Sequence, residues 1–170
     1  MLDQKVAELI NVQVNKEFYS AYLYLDFANY YREAELNGFA NWYQVQAQEE
    51  RDHAMLFIQY LQNNSGKVTL EAIDKPDKKF EDYVGPLKAG LEHEVYVTGL
   101  IHAIYDAAYS VKDFRTMQFL DRLVKEQGEE EKNADNLVKR SELFGHDPKG
   151  LSMLDSEMAA RVYTAPSRVL

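Results

Sequence analysis

A carboxylate and an imidazole interrupt the apolar face of a long predicted helix in the first half of the chain. Glu50 and His53 lie three residues apart and therefore project from the same side of a helix. The stripe that contains them also holds Trp42, Phe57 and Tyr60, so both polar groups are predicted to point inward. A buried carboxylate is costly unless it is paired or bound to a metal ion. Other helices must therefore supply partners for this pair.

The arrangement occurs twice in the sequence. The interval from Glu17 to Glu50 equals the interval from Glu94 to Gln127. Gln127 and Glu130 then repeat the three-residue spacing of the first pair. An isolated Glu-x-x-His is weak support for a metal site, because most such pairs lie on solvated faces. With a Glu from each of two further helices, however, it is the ligand unit of di-iron four-helix bundles. We therefore expect four helices to direct these groups toward one point in the core.

Cap and turn signals divide the chain into five helices. The first is predicted to run from its N-cap Asp3 to about Leu36, where Asn37 and Gly38 provide a left-handed stop. The second is predicted from about Phe39 to Gln62. The third is predicted from near Asp82 to Ser110, with Pro86 in its first turn. The fourth is predicted from its cap Asp113 to near Gly145. The fifth follows the cap Asp147 and is predicted from Pro148 to about Arg161.

The connection formed by residues 67–81 determines the topology. It is unusually long for a compact domain, and it is long enough to span a bundle. The third helix would then run parallel to the second, which is the topology of a bundle with a single long crossover. We predict one all-α domain over residues 1–170, with the bundle in about 3–144 and the fifth helix in about 148–161. The bundle is complete without the fifth helix, so we expect that helix to serve in an assembly.

Length and composition exclude several classes of protein. The 170 residues include no cysteine, which excludes a disulfide framework and thiolate metal sites. No apolar run is long enough for a membrane span, and the N-terminus has no secretory pattern, so we expect a cytoplasmic protein. The net charge of −9 argues against nucleic acid as a partner and favours the attraction of cations.

The six converging groups offer only oxygen and nitrogen ligands. Such a set suits iron or manganese. Glu50 is the central candidate for a carboxylate that bridges two metal ions. Because Glu130 takes the position that corresponds to His53, one site has an imidazole and the other has carboxylates alone. The second site is expected to be the weaker one, which suits a metal ion that leaves after oxidation.

Two further groups of residues have alternative interpretations. Glu49, Glu126 and Glu129 lie next to the predicted ligands on their helices. They are either a solvated acidic face or, together with Glu130, a third and outer cation site. Tyr24 lies two turns from the first predicted ligand on the same face. It is either a core tyrosine or a group with a redox or hydrogen-bonding role beside the metal ions.

Nearly the whole chain resembles the bacterial non-haem ferritins. The residues that carry the resemblance are Glu17, Tyr24, Glu49 to His53, Glu94 and Glu126 to Glu131, together with the long crossover and the fifth helix. The resemblance implies a ferritin-like four-helix bundle that assembles into a hollow cage of 24 subunits, with further copies of this chain as the expected partners. It also implies oxidation of Fe(II) by dioxygen or hydrogen peroxide at a di-iron ferroxidase centre, and storage of the ferric oxide-hydroxide inside the cage.

The resemblance also assigns roles to the residues. The first iron would be held by Glu17, Glu50 and His53. The second would be held by Glu50, Glu94 and Glu130, with Gln127 close by. Glu49, Glu126, Glu129 and Glu130 resemble the third iron site of bacterial ferritins.

Two positions depart from related patterns. Arg51 stands where the haem-containing bacterioferritins place a haem-ligating methionine, and Glu130 stands where they use a second histidine, so no haem is expected. Residues 115–120 contain no acid, whereas animal ferritins line a three-fold channel with acids near the start of the fourth helix. The route of iron entry is therefore left open.

Three other functions compete with iron storage. A peroxide reductase of the rubrerythrin type would want a second Glu-x-x-His and usually a cysteine-ligated iron domain, and the chain has neither. A DNA-protecting mini-ferritin places its iron site between subunits and often has a basic tail, whereas residues 164–170 contain a single base. A bundle with vestigial buried acids is disfavoured by the convergence of six ligands.

Overall fold

The structure, a computed structural model, describes residues 2–166 and contains five α-helices in this range. They are α1 (Gln4–Glu33), α2 (Asn37–Asn63), α3 (Gly85–Ser110), α4 (Phe114–Phe144) and α5 (Pro148–Met158). No β-strand occurs among the described residues. The prediction of an all-α bundle with a short fifth helix is confirmed.

Aspartate caps begin three of the helices, as the sequence predicted. The Asp3 carboxylate accepts hydrogen bonds from the backbone N–H of Lys5 and Val6 at 2.9 and 3.2 Å. Asp113 accepts from the Thr116 N–H at 3.1 Å, and Asp147 accepts from the N–H of the residue three positions on at 2.9 Å. Each cap satisfies donors that the first helical turn leaves without partners.

The predicted end of the first helix was wrong. α1 ends at Glu33, and Glu35, with φ of 60°, provides the left-handed residue. The Leu36 N–H donates to the Tyr31 carbonyl at 2.9 Å, which closes the helix. Asn37 is instead the first residue of α2. Two smaller differences concern α3, which begins at Gly85 and not near Asp82, and α5, which ends at Met158 and not at Arg161.

Gly38 has a role in packing and does not act as a stop. A Cβ atom at this position would lie 1.6 Å from the carbonyl oxygen of Asp155 on α5. The N–H groups of Gly38 and Phe39 donate to the Asp155 carboxylate at 2.8 and 3.0 Å. The start of α2 is therefore fastened directly to α5, which buries Leu154 and Met158 in the core of its own chain.

The crossover between α2 and α3 lies along α1. Near the start of α1, the Asn11 side chain exchanges hydrogen bonds of 3.0 and 2.8 Å with the backbone of Thr69. Near its end, the Tyr31 hydroxyl donates to the Tyr83 carbonyl at 2.6 Å. The two contacts are twenty residues apart on α1, which is about 30 Å of helix. The crossover thus returns the chain to the start of α2, and α3 runs parallel to α2 as predicted.

The apolar core consists of two clusters, one at each end of the bundle. One contains Phe27, Tyr31 and Phe39, and the other contains Ile10, Phe57 and Ile101, among others. In each of the first four helices, buried polar residues fall between the positions that form these two clusters. This polar layer contains Glu17, Gln46, Glu50, Glu94 and Gln127. Among the described residues, no helix is long and apolar enough to cross a membrane.

Candidate metal centre

Glu17, Glu50 and His53 form a compact group of possible metal ligands. One ligand atom from each lies within 4.8 Å of the ligand atoms of the other two. Glu17 comes from α1 and the other two come from α2, so the short connection between these antiparallel helices brings them together. Both carboxylates are buried, with 1% and 3% of their surface exposed, and the Nδ1 atom of His53 lies 3.6 Å from the Glu50 carboxylate.

One oxygen of Glu17 has no hydrogen-bond partner. Its Oε1 atom accepts from the Gln13 amide at 2.7 Å, whereas Oε2 is buried and unpaired. An unsatisfied carboxylate oxygen in a protein core is costly, and a bound cation would satisfy it. The residues present therefore fit a metal ion at this position.

Glu94 is held from two sides. The Tyr24 hydroxyl donates a short hydrogen bond to its Oε1 atom, and the Gln127 amide donates to its Oε2 atom at 3.0 Å. The Gln127 amide also lies 3.4 Å from the Thr98 hydroxyl, which in turn donates to Glu131 at 2.5 Å. The carboxylate of Glu94 thus has a fixed orientation before any ligand binds. Tyr24 is both a buried core tyrosine and a hydrogen-bond donor to Glu94, so it fits both interpretations, and a role beside metal ions stays a prediction.

Gln46 connects α2 to α4 at the same level. Its amide donates to Glu50 and to Glu130, in both cases at 3.0 Å. Gln46 and Gln13 were not among the residues predicted for the centre. Their spacing in the sequence could have indicated them. Gln13 lies one helical turn before Glu17, and Gln46 lies one helical turn before Glu50, so the two amides are separated by the same interval as the two carboxylates.

Burial and mutual repulsion raise the pKa values of most of these carboxyl groups. Burial, assisted by the charge of Glu50, raises the pKa of Glu17 to about 8 and that of Glu130 to about 7. Burial, followed by the charge of Glu50, holds the pKa of Glu94 well above its usual range. A carboxyl group in such a place ionises readily only when a cation replaces its proton.

Glu50 and His53 form the ionised pair of the centre. Burial opposes a charge on either group, but the hydrogen bond and charge of His53 outweigh it and lower the pKa of Glu50. In the same way, Glu50 outweighs burial and raises the pKa of His53 to about 10. At neutral pH the metal-free centre thus holds an imidazolium beside one carboxylate, and metal binding must release the imidazolium proton.

The acids of the predicted outer site line one cavity of about 410 Å³ beside His53. Two of them are already engaged by arginines. Glu49 forms a short ion pair with Arg161, and Glu126 accepts from the Arg122 Nε–H at 2.7 Å. Glu129 is 65% exposed and lies 4.0 Å from a lysine on the same helix. Glu129 therefore fits the interpretation as part of a solvated acidic face, whereas Glu49 and Glu126 are bound to arginines.

The comparisons with known proteins agree with this architecture. A family model described as a ferritin-like domain matches residues 7–144. The bacterial non-heme ferritin of Campylobacter jejuni subsp. jejuni is 34% identical over 155 residues, which cover 91% of this chain and 93% of that protein. A form of Archaeoglobus fulgidus ferritin that was closed by site-directed mutagenesis is 40% identical with a TM-score of 0.94, covering 96% of this chain and all of that one.

A further solved structure is described as a novel open-pore ferritin from the hyperthermophilic archaeon Archaeoglobus fulgidus. It is 40% identical with a TM-score of 0.93 and covers 95% of this chain and all of that one. The family model and the curated relative each span far more than half of the sequence. This chain belongs to the ferritin family.

Proposed function

We propose that the chain stores iron and that it oxidises Fe(II) to Fe(III) before storage, in the cytoplasm. Iron is then the substrate and the cargo, not a permanent cofactor. The observation that carries the proposal is the buried cluster of Glu17, Glu50 and His53, in which one carboxylate oxygen has no partner within the protein. Storage follows from membership of the ferritin family.

Two Fe(II) ions would bind at the centre. Glu17, Glu50 and His53 would hold the first, and Glu50, Glu94 and Glu130 would hold the second. Glu50 would bridge the two, since it lies in the cluster with Glu17 and His53 and shares the Gln46 amide with Glu130. The ligand set contains hard oxygens and one imidazole and no thiolate, which suits Fe(II) and lets Fe(III) leave toward oxygen ligands elsewhere.

The residues of the chain orient the ligands and handle the protons. Each Fe(II) supplies one electron, so a pair of ions, with the uptake of two protons, reduces one dioxygen to hydrogen peroxide, or one hydrogen peroxide to two water molecules. Fe(II) binding displaces the protons held by Glu17 and His53, because their pKa values lie above neutral pH in the metal-free protein. It also favours the ionised form of Glu94, whose pKa burial holds well above its usual range. Tyr24 and Gln127 keep the Glu94 carboxylate in place while its charge changes.

We further propose that 24 identical subunits form a closed cage around the stored mineral. The outer face of α1 exposes Val12, Tyr22 and Leu25, each with 45% to 51% of its surface accessible in the isolated chain. An apolar face of this kind is expected to be covered by another subunit. The rubrerythrin alternative has no comparable support, because the second helical pair is Gln127 and Glu130 and lacks a histidine.

The test is co-sedimentation of iron with the protein. Purified protein is given Fe(II) in air in repeated additions and then analysed by sedimentation velocity with absorbance of the ferric mineral. The expected particle has the protein mass of 24 copies of the 19.7 kDa chain and carries many iron atoms per subunit. A monomer or dimer as the sole species, with the ferric oxide precipitated outside the protein, would refute the proposal.

A further inference from the structure

The segment that follows α5 turns back along α2. The Asn41 side chain donates to the carbonyl groups of Met158, Ala159 and Arg161 at 3.3, 3.4 and 3.0 Å. The Tyr163 hydroxyl donates a short hydrogen bond to the buried Asp52 carboxylate. Residues 158–163 are therefore attached to α2 at two points, one before Glu49 and one after it along the helix.

Arg161 is held between these two points. Its Nη2 atom forms a short ion pair with the Oε2 atom of Glu49, and its Nη1 donates to the Trp42 carbonyl at 3.4 Å. The guanidinium carbon lies 4.2 Å from the centre of the Trp42 ring. Only 16% of the Arg161 side chain and 24% of the Glu49 side chain are exposed. The contact thus combines a largely shielded ion pair with a cation–π interaction.

Arg161 also faces the proposed iron centre. Together with residues 164–166 it lines the same cavity of about 410 Å³ as His53, Glu126 and Glu130. The cavity is thus lined both by inner ligands and by the C-terminal segment. A fixed positive charge stands where the predicted outer iron site would need Glu49 as a ligand.

We propose that Arg161 is an internal cation that competes with iron for Glu49 and so regulates the outer site. This inference rests on the proposed function. The Glu49 Oε2 atom faces the guanidinium, and arginine stays charged at any physiological pH. A metal ion at Glu49 therefore either meets this positive charge through the other carboxylate oxygen or displaces Arg161 from Oε2. The repulsion in the first case, or the lost ion pair and ring contact in the second, weakens binding at the outer site.

The consequence is a transit site and not a storage site. Iron that leaves the inner centre enters the cavity lined by Glu126, Glu129 and Glu130, and it gains the Oε2 atom of Glu49 only while Arg161 is displaced. When the ion moves on, the guanidinium returns to Glu49. Arg161 thus acts as a positioning residue for the path between the centre and the cavity and does not touch the reacting ions.

The chain contains its own reporter for this movement. Trp42 is the single tryptophan among the 170 residues, and the Arg161 guanidinium lies on its ring. Displacement of the guanidinium changes the environment of the indole and hence its fluorescence. Zn²⁺ is a suitable probe because it takes oxygen and nitrogen ligands and has no redox chemistry.

The experiment titrates Zn²⁺ into the metal-free assembled protein and follows binding by calorimetry and Trp42 by fluorescence. Wild type is compared with Arg161→Ala, with Arg161→Lys and with the control Arg140→Ala. Arg140 is a matched control because it forms an exposed ion pair with Glu157 at 2.6 Å, away from the cavity. Sedimentation velocity confirms that each variant assembles as wild type does.

The first Zn²⁺ ion, at Glu17, Glu50 and His53, is expected to bind with unchanged affinity in all four proteins, and a second ion is expected to bind in each of them. In Arg161→Ala the third ion should bind on the order of tenfold more tightly, a typical size for the coupling of two sites. Arg161→Lys should restore the weak third site because it restores the charge. In wild type and Arg140→Ala, a change in fluorescence should accompany the third equivalent, and Arg161→Ala should lack that change.

Failure of this inference and failure of the proposed centre give different results. If the first two ions bind and Arg161→Ala matches Arg140→Ala in the affinity of the third ion and in the fluorescence change, Arg161 does not compete for Glu49. If no protein binds the first two ions, the proposed inner centre is itself wrong.

Discussion

Replacement of Gly38 by alanine is expected to weaken the attachment of α5 although alanine is the better helix former. Gly38 lies in the first turn of α2, and an exchange of this kind inside a helix usually gains up to about 1 kcal/mol. Here the new Cβ would lie 1.6 Å from the Asp155 carbonyl oxygen and 2.5 Å from its carbon. The contact is with backbone, so no side-chain rotation relieves it. The facing part of α5 must move away by about 2 Å to reach ordinary contact distance.

The magnitude follows from what that movement breaks. The Gly38 and Phe39 N–H groups donate to the Asp155 carboxylate, and hydrogen bonds to a charged group contribute about 1.5 to 3 kcal/mol each. Their loss, less the gain in helix propensity, gives a net destabilisation of about 2 to 5 kcal/mol. Gly99 is the matched control, because a Cβ there meets nothing within 4 Å. Gly99→Ala should stabilise by about 0.5 to 1 kcal/mol.

The assay is guanidinium unfolding at equal protomer concentration, combined with limited proteolysis of the connection before α5. Gly38→Ala should unfold at lower denaturant and should be cleaved near residues 145–147, whereas Gly99→Ala should resist both. Equal stability of the two variants would refute the inference that close contact between α2 and α5 requires a glycine at position 38.

Three further predictions concern the centre. In the metal-free protein, the pKa of Glu17 is about 8 in the folded state against 4.5 in the unfolded state, so the folded state binds more protons and stability falls as pH rises between these values. Glu17→Gln should remove about 2 to 3 kcal/mol of this loss of stability between pH 4.5 and pH 7. Denaturation in the presence of a chelator measures the difference. Glu130→Gln should weaken the second site and slow oxidation, with anaerobic Fe(II) titration showing one tight ion per subunit in place of two. Glu129→Gln should leave the first rapid oxidation intact and alter only the later additions, because its carboxylate is largely exposed and lies outside the inner ligands; equal rates in all additions would contradict this role.

The sequence predicted those features that depend on local chemistry or on helical spacing. Asp3, Asp113 and Asp147 act as caps because a cap requires only its own first turn. The interval from Glu17 to Glu50 in the first half of the chain equals that from Glu94 to Gln127 in the second half. These equal intervals place the four buried polar groups at one level of the bundle. Because the helices are long and regular, equal spacing along the chain becomes equal height in space.

Contacts between distant parts of the chain were not predictable in this way. Gly38 meets a residue 117 positions away, so its sequence context of Asn-Gly indicated a helix stop and gave no sign of α5. Arg161 meets Glu49 across 112 positions, and nothing local marks a C-terminal arginine as a competitor for a predicted ligand. Gln46 is a different case. It lies one turn before Glu50 on the same stripe, and the predicted charge of that carboxylate was sufficient reason to look for a donor there.

Stopped-flow oxidation at about two Fe(II) per subunit tests the proposed centre most directly. His53 is the single nitrogen ligand in the proposed set, and it lies 3.6 Å from the Glu50 carboxylate. His53→Ala should leave assembly unchanged and slow the rapid phase by at least about a hundredfold, as expected when the tighter of two metal sites is lost. His102, an exposed histidine on α3, supplies the control, and His102→Ala should oxidise iron as wild type does. A wild-type rate in His53→Ala would contradict the assignment of the di-iron centre to these residues.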